Sequence, residues 1–286
     1  MAAAAARAYQ PDVEGALSTR NFARITSYIH DQAGIRLPEA KRTMLEGRLR
    51  RRLRATGTDS FDHYCELIFS GGNLAIEGPH LINAVTTNKT DFFREPKHFD
   101  FLCDTLLPSL PAQGLRKLRV WSAACSTGAE PYTIAMLLDD FVEQQPGMSY
   151  GILATDIDTE VLETARRGVF PADQVIPVPD KLRRKYVMRA SDPRRRDIRI
   201  VPELRSAIGF ARLNLMDARY PVGEKMHLIF CRNVLIYFDR PTQEKVVRRL
   251  ADCLVPGGHL FLGHSETIAG FDLPLAQVGH TVFRRS

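Results

Sequence analysis

Cysteine is sparse in this 286-residue chain, and its placement excludes more than its number does. The five cysteines, at 65, 103, 125, 231 and 253, form no C-x-x-C pair and are odd in number. That pattern argues against a disulfide framework or a thiolate zinc site, and for free thiols in a reducing cytosol. Eight histidines include no H-E-x-x-H, so the spacing indicates no metal. No apolar run is long enough to cross a membrane. The alanine-rich start, Met1 to Ala6, is broken by Arg7 and lacks the apolar core of a secretion signal. Residues 1–19 are therefore expected to form a disordered or frayed tail. G-x-S-x-G is missing too, which leaves His264-Ser265-Glu266 as a strand-end turn rather than part of a hydrolase site.

What remains is ordinary for a globular chain: 44% apolar residues and 25% charged ones, at a length suited to one large domain or two smaller ones. The formal net charge of +6 favours an acidic partner, whether nucleic acid, anionic membrane or an acidic protein surface.

The most informative stretch runs from Leu118 to Asp158. Leu118, Val120 and Trp121 suit a buried strand, and the small residues Ser122 to Gly128 suit a tight loop. Pro131 fits the first turn of a helix carrying Ile134, Met136, Leu137, Leu138 and Phe141, which Pro146-Gly147 ends. A second strand, Gly151 to Thr155, stops at Asp156. In such strand-helix-strand units the loop and helix start receive a ligand, and the acid bonds ribose hydroxyls. A dinucleotide would call for G-x-G-x-x-G against its pyrophosphate, and only Gly128 is present. S-adenosylmethionine carries no phosphate and has an ammonium group that Glu130 could meet. The plainer reading of Glu130 is an acid favouring a helix dipole.

Ahead of this unit, Ser18 or Thr19 can cap a helix through about Gln32, with Phe22, Ile25, Ile29 and Ala33 at helical spacing. In KRTMLEGRLRRRLR (Lys41 to Arg54), Leu45, Leu49 and Leu53 make a narrow stripe and seven Lys or Arg residues occupy the remaining surface. Two more helices, Ser60 to Phe69 and Leu74 to Val85, complete an all-helical unit over 20–90. Residues 91–286 read as a second domain, a mostly parallel doubly wound sheet. Within it the proline- and arginine-rich segment of about 170–205 suggests a small antiparallel β insertion, with Ile198 and Ile200 in a strand.

Several motifs together resemble one family, the CheR-type chemotaxis receptor methyltransferases. They are KRTMLEGRLRRRLR, TTNKTDFFRE, WSAACSTGAEPYTIAM, ATDIDTEVLETA, the dipeptide Asn214-Leu215, and IFCRNVLIYF. They cover nearly the whole chain from about residue 20, in the family's order and spacing. The resemblance implies a helical N-terminal domain followed by a class I (Rossmann-like) methyltransferase domain with a small β insertion. It also implies a cytoplasmic protein-glutamate O-methyltransferase that esterifies chemoreceptor glutamates for sensory adaptation. By motif, contacts to S-adenosylmethionine (product S-adenosylhomocysteine) fall on Asn88, Thr90, Arg94, Glu130, Asp156, Asn214, Leu215, Arg232 and Asn233. One departure is that many members carry two acids before the proline, where this chain has Ala129-Glu130.

The residue types suit that chemistry. A sulfonium methyl donor is already activated and a glutamate is already anionic at neutral pH, so no general base is needed. Placement and desolvation suffice. Arg94 offers a planar fork for a carboxylate, either the cofactor's or the acceptor's. The Tyr237 hydroxyl could orient the acceptor, or the ring could simply pack on the sheet. Arg48, Arg51 and Arg52 are expected to face outward as a basic docking surface for the helical cytoplasmic domain of receptors. A solvated basic face is the alternative. A monomer with no metal, nucleic acid or membrane insertion is expected. The arginines of 48–54 lack interleaved aromatics for base stacking, which disfavours a nucleic-acid methyltransferase. Intact Asn88, Arg94, Glu130, Asp156 and Asn233 disfavour a non-catalytic adaptor. The resemblance leaves open whether the insertion grips a receptor's tethering peptide. The arginine-rich Arg189 to Arg199, with no glycine-rich turn, favours independence from one.

Overall fold

In a computed structural model, which describes residues 15–190, 192, 194 and 196–286, the chain divides into two compact units at Thr87/Asn88. The expected boundary lay at 90/91. Asn88 belongs with the second unit because its side chain donates to Asp158 and its carbonyl accepts from Ser126.

The first unit holds α1 (Thr19–Ala33), α2 (Arg42–Thr56), α3 (Phe61–Phe69) and α4 (Leu74–Val85). Local signals set the ends of α1. The Ser18 side chain accepts from the Asn21 N–H, and Gly34 stops the helix in a left-handed conformation at φ 70°. Leu45, Leu49 and Leu53 are fully buried against Ile25, Ile29 and Phe61. The tail expected over 1–19 does not extend to its last residues, and residues 1–14 lie outside the described residues. Leu17 is buried and its N–H donates to Glu46 Oε1 at 2.8 Å.

The basic face of α2 differs from expectation. Arg52 does not point outward. Its Nε and Nη2 donate to both oxygens of the buried Glu77 at 2.8 and 2.9 Å, and the Tyr64 hydroxyl donates to the same carboxylate. Arg48 also turns back onto its own domain, donating from Nη1 to the carbonyls of Val85 and Thr86. Both serve acceptors on α4 or at its end, a demand that a charge run in sequence does not display. Arg51 and Arg54 are exposed.

The second unit opens with α5 (Lys97–Phe101), which continues through a π-helical turn (Leu102–Leu106) into α6 (Leu107–Ser109). There follow β1 (Lys117–Ala123), α7 (Ala129–Val142), β2 (Ser149–Asp156) and α8 (Thr159–Arg167). The insertion comprises β3 (Val169–Pro171), α9 (Asp180–Tyr186), β4 (Val187–Arg189) and β5 (Asp197–Ile200). It forms a separate antiparallel sheet ordered β3-β5-β4. Then come α10 (Pro202–Ser206), β6 (Ile208–Arg212), β7 (Met226–Cys231), α11 (Arg240–Asp252), β8 (Leu254–Leu262), β9 (Leu275–Gly279) and β10 (Val282–Arg285). The main sheet runs β6-β2-β1-β7-β8-β10-β9, parallel from β6 to β8 and antiparallel at β10 and β9.

β1 is buried on both faces. Val120 packs with Ile134 and Phe230 on one side, and Trp121 packs with Ile229 and Val246 on the other. The chain leaves β1 toward β2 and β6, then returns to place β7 on the opposite flank. That reversal opens a crevice at the carboxyl ends of β1, β2 and β7.

Candidate active site

The loop leaving β1 bends sharply. Ala124, Ser126 and Gly128 have φ of 59°, 52° and 96°, in the left-handed region. For Ala and Ser this costs on the order of 1–2 kcal/mol each, a strain commonly concentrated at functional sites. Gly128 has a packing reason as well, because a Cβ there would sit 2.9 Å from that of Ala165 on α8. The turned loop aims the Ser126 N–H at Asp156 Oδ2 (2.8 Å), while the Asp158 N–H meets Oδ1 (3.0 Å). Asp158, not Asp156, caps α8 by accepting from Glu160 and Val161 N–H. Asp156 is thus free of the helix-capping role that a strand-end acid often plays. Burial outweighs its backbone hydrogen bonds and pushes its carboxyl up to about 6.

A second cluster forms where β7 ends. Arg232 is buried, with Nη1 3.1 Å from Glu130 Oε2 and Nη2 2.9 Å from Glu95 Oε2. It also donates to the Arg94 carbonyl, and its guanidinium lies over the Phe99 ring at 5.3 Å. Glu130 begins α7 and accepts from the Ser122 hydroxyl at 2.7 Å. Burial would raise the Glu95 carboxyl, but hydrogen bonds from Asn233 and the charge of Arg232 more than offset it, holding it at about 2. Asn233, left-handed at φ 59°, donates from its side chain to Glu95 at 2.9 Å. Its N–H and that of Leu235 are held by the buried Glu266, which burial pushes up.

Hydrogen bonds and ion pairs therefore connect Asn88, Ser126 and Asp156 in one group, and Glu95, Glu130, Arg232 and Asn233 in another. Arg94 joins the second group through its carbonyl, while its own Nη1 donates to the Lys89 carbonyl at 3.0 Å. Thr90 is half-buried in the segment ahead of α5. Asn214 follows β6, and its side-chain oxygen accepts from the Met216 N–H at 3.0 Å. Leu215 packs inward with Trp121 and Tyr220. Tyr237 is half-buried in a short turn after Asn233 and packs against the same core. The sequence reading missed Glu95, Ser126 and Glu266 as parts of this framework. Glu95 stands beside Arg94 in TTNKTDFFREP and could have been found there, whereas Glu266 reads only as a turn residue.

The donor set is unbalanced. Three carboxylates (Glu95, Glu130 and Asp156) stand with one buried guanidinium, Arg232. Asp156 accepts from the backbone N–H groups of Ser126, Asp158 and Ile157, and a carboxylate has capacity for a further donor such as a ribose hydroxyl. A ligand with a nucleoside hydroxyl pair and positive charge fits these residues. S-adenosylmethionine has both.

Comparison with known proteins points the same way. Residues 88–283 match the family described as CheR methyltransferase, SAM binding domain, and residues 20–86 match the CheR methyltransferase all-alpha domain. The chain is similar to a chemotaxis protein methyltransferase of Escherichia coli K12, 42% identical over 95% of this chain and 92% of that one. It is also 39% identical to a chemotaxis protein methyltransferase of Borreliella burgdorferi, over 87% of this chain and 88% of the relative.

Proposed function

This chain belongs to the CheR methyltransferase family, an S-adenosylmethionine-dependent enzyme of chemotaxis, and from that premise we propose that it esterifies glutamate side chains of chemoreceptors in the cytoplasm. The observation that carries this reading is the surplus of carboxylates around Arg232 beside the strained loop of Ala124 to Gly128. When bound, S-adenosylmethionine supplies an activated methyl group on a sulfonium. Asp156 accepts from the ribose hydroxyls, and Glu130 faces the ammonium. Arg232 holds Glu95 ionised and, standing between Glu95 and Glu130, keeps the two apart, so the site stays anionic without collapsing. Asn88, Thr90, Asn214, Leu215 and Asn233 complete the cofactor contacts.

A glutamate acceptor is anionic already, so these residues orient the two partners and exclude water rather than move a proton. No cysteine is needed as a nucleophile, and burial pushes the Cys125 and Cys231 thiols up, keeping them protonated. Arg94 has a fork suited to a carboxylate. Tyr237 would orient the acceptor from its turn beyond β7. On the receptor side, Arg51 and Arg54 are the exposed cations of α2 that an acidic helical bundle would meet.

The test is transfer of a labelled methyl group to receptor cytoplasmic fragments, to RNA, to DNA and to no acceptor. Label in the receptor alone, released as methanol by mild alkali as an ester requires, is the expected result. Alkali-stable label, or label in nucleic acid, contradicts the proposal.

A further inference from the structure

His98, His264 and His280 come from three separate stretches of the second unit: α5, the loop after β8, and the turn between β9 and β10. Their ring nitrogens lie within 4.8 Å of one another. The rings meet edge to face, with centroids 5.0 Å apart for His98–His264 and 4.8 Å for His264–His280. His98 is 1% exposed, while His264 and His280 are exposed.

Hydrogen bonding fixes the tautomer of His98. Its Nε2 lies 2.9 Å from Thr281 Oγ1 and 3.1 Å from the His280 carbonyl. The Thr281 hydroxyl donates its only hydrogen to the Leu262 carbonyl at 2.9 Å, and a carbonyl can only accept. Nε2 must therefore be the donor, which leaves Nδ1 as a bare lone pair in the neutral ring. That Nδ1 is buried without a hydrogen-bond partner and faces Glu95 Oε2, another acceptor, at 3.6 Å. His264 Nε2 approaches the same oxygen at 3.9 Å.

Two lone pairs facing each other inside a protein repel unless a cation lies between them. The backbone meanwhile holds the arrangement in place. Thr281 is β-branched yet left-handed at φ 52°, and that turn aims its hydroxyl and the preceding carbonyl at His98. An imidazole that gives one N–H to a carbonyl or hydroxyl and offers the other nitrogen is the usual state of a metal-binding histidine.

We propose that His98 Nδ1, His264 and His280 bind a divalent transition-metal ion of the zinc class, at a site that Glu95 links to the Arg232 cluster. Nitrogen donors select zinc, nickel or copper over magnesium and calcium. Tetrahedral zinc–nitrogen bonds of about 2.0–2.1 Å place the nitrogens roughly 3.4 Å apart, so closure asks for modest turning of the two exposed rings. The fourth position falls to Glu95 Oε2 or water. Arg232 weakens the site by its charge, and Glu95 offsets that.

Calorimetric titration of the full chain with Zn2+ or Mg2+, together with visible absorption on adding Co2+, tests the proposal. Wild type should bind Zn2+ and not Mg2+, and should give the d–d bands of nitrogen-bound Co2+. The His264→Ala/His280→Ala pair changes only exposed side chains and should still fold. It should lose one equivalent of Zn2+, or roughly tenfold or more in affinity, and lose the Co2+ bands. Unchanged Zn2+ stoichiometry and affinity in the double variant would overturn the assignment, as would wild type that takes up no Zn2+.

Discussion

Two carboxylate-bound arginines, Arg52 half-buried and Arg232 buried, divide the molecule by purpose. In the helical unit, Arg52 forks onto both oxygens of Glu77, and the Tyr64 hydroxyl donates to the same carboxylate, so one charge meets one charge and each oxygen is hydrogen-bonded. In the sheet unit, Arg232 lies between Glu95 and Glu130, with Asp156 at the end of a neighbouring strand, and the negative charge is in surplus. Its Nε is buried with no hydrogen-bond partner. A balanced pair stabilises a fold, whereas an unbalanced one is retained for something it binds. Backbone strain divides in the same way. Among the described residues, every non-glycine position with positive φ (Phe93, Glu95, Ala124, Ser126, Asn233 and Thr281) falls in the sheet unit. Five of those six flank the Arg232 and Asp156 clusters, and the sixth supports His98.

The widest separation of the two units should come from removing each arginine. Arg232→Met strands two part-buried carboxylates and should cost about 3–5 kcal/mol of unfolding free energy by denaturant titration, with loss of S-adenosylhomocysteine binding. Arg52→Met should cost less, about 1–3 kcal/mol, because it strands one carboxylate rather than two and the Tyr64 hydroxyl still donates to it. Its folded fraction should bind S-adenosylhomocysteine as wild type does. Equal binding losses in the two variants would erase the distinction.

Asp156 sharpens the comparison through pH. Asp156→Ala should weaken S-adenosylhomocysteine binding at least about tenfold, since charge-assisted hydrogen bonds contribute roughly 1.5–3 kcal/mol each. In the ligand-free protein its carboxyl is raised to about 6, so protonation favours the folded form. That contribution is fully present below the unfolded value near 3.8 and is lost as pH rises through about 6. Cofactor binding has the opposite sign, because hydroxyls need the carboxylate, and affinity should fall as pH drops below about 6. Asp156→Asn should flatten that limb, and a variant keeping the wild-type pH profile would locate the titrating group elsewhere.

Much of this division was legible in the sequence. The leucine stripe of α2, the caps of α1, and the strand-loop-helix-strand run through Asp156 all rest on short-range periodicity and turn chemistry. What was not legible depends on contacts between distant segments. Arg52 and Arg48 looked like a solvated or docking face because nothing in KRTMLEGRLRRRLR shows that Glu77 and two carbonyls at the end of α4 await them. Glu266 read as a turn, and it is one, but its carboxylate also holds the N–H groups of Asn233 and Leu235. The three histidines were read as showing no metal pattern because 98, 264 and 280 share no spacing, and only the fold brings them together.

Smaller effects concern the acceptor side. Arg94→Lys keeps charge but loses the fork, so turnover should fall several-fold in a methyl-transfer assay. Tyr237→Phe should lower kcat with cofactor affinity nearly unchanged, and full turnover in that variant would leave the ring a packing role alone. Smallest of all, Arg51→Glu with Arg54→Glu should slow methylation of intact receptor at low salt and converge on wild type as salt is raised. A rate equal to wild type at low salt would make this face a solvated one.

The most direct test of the central contrast is calorimetric titration of S-adenosylhomocysteine into Glu77→Gln and Glu130→Gln. Each change removes one negative charge beside a carboxylate-bound arginine without altering shape. The account predicts wild-type affinity for Glu77→Gln and at least about a tenfold loss for Glu130→Gln. Equal affinities in the two folded variants would contradict it.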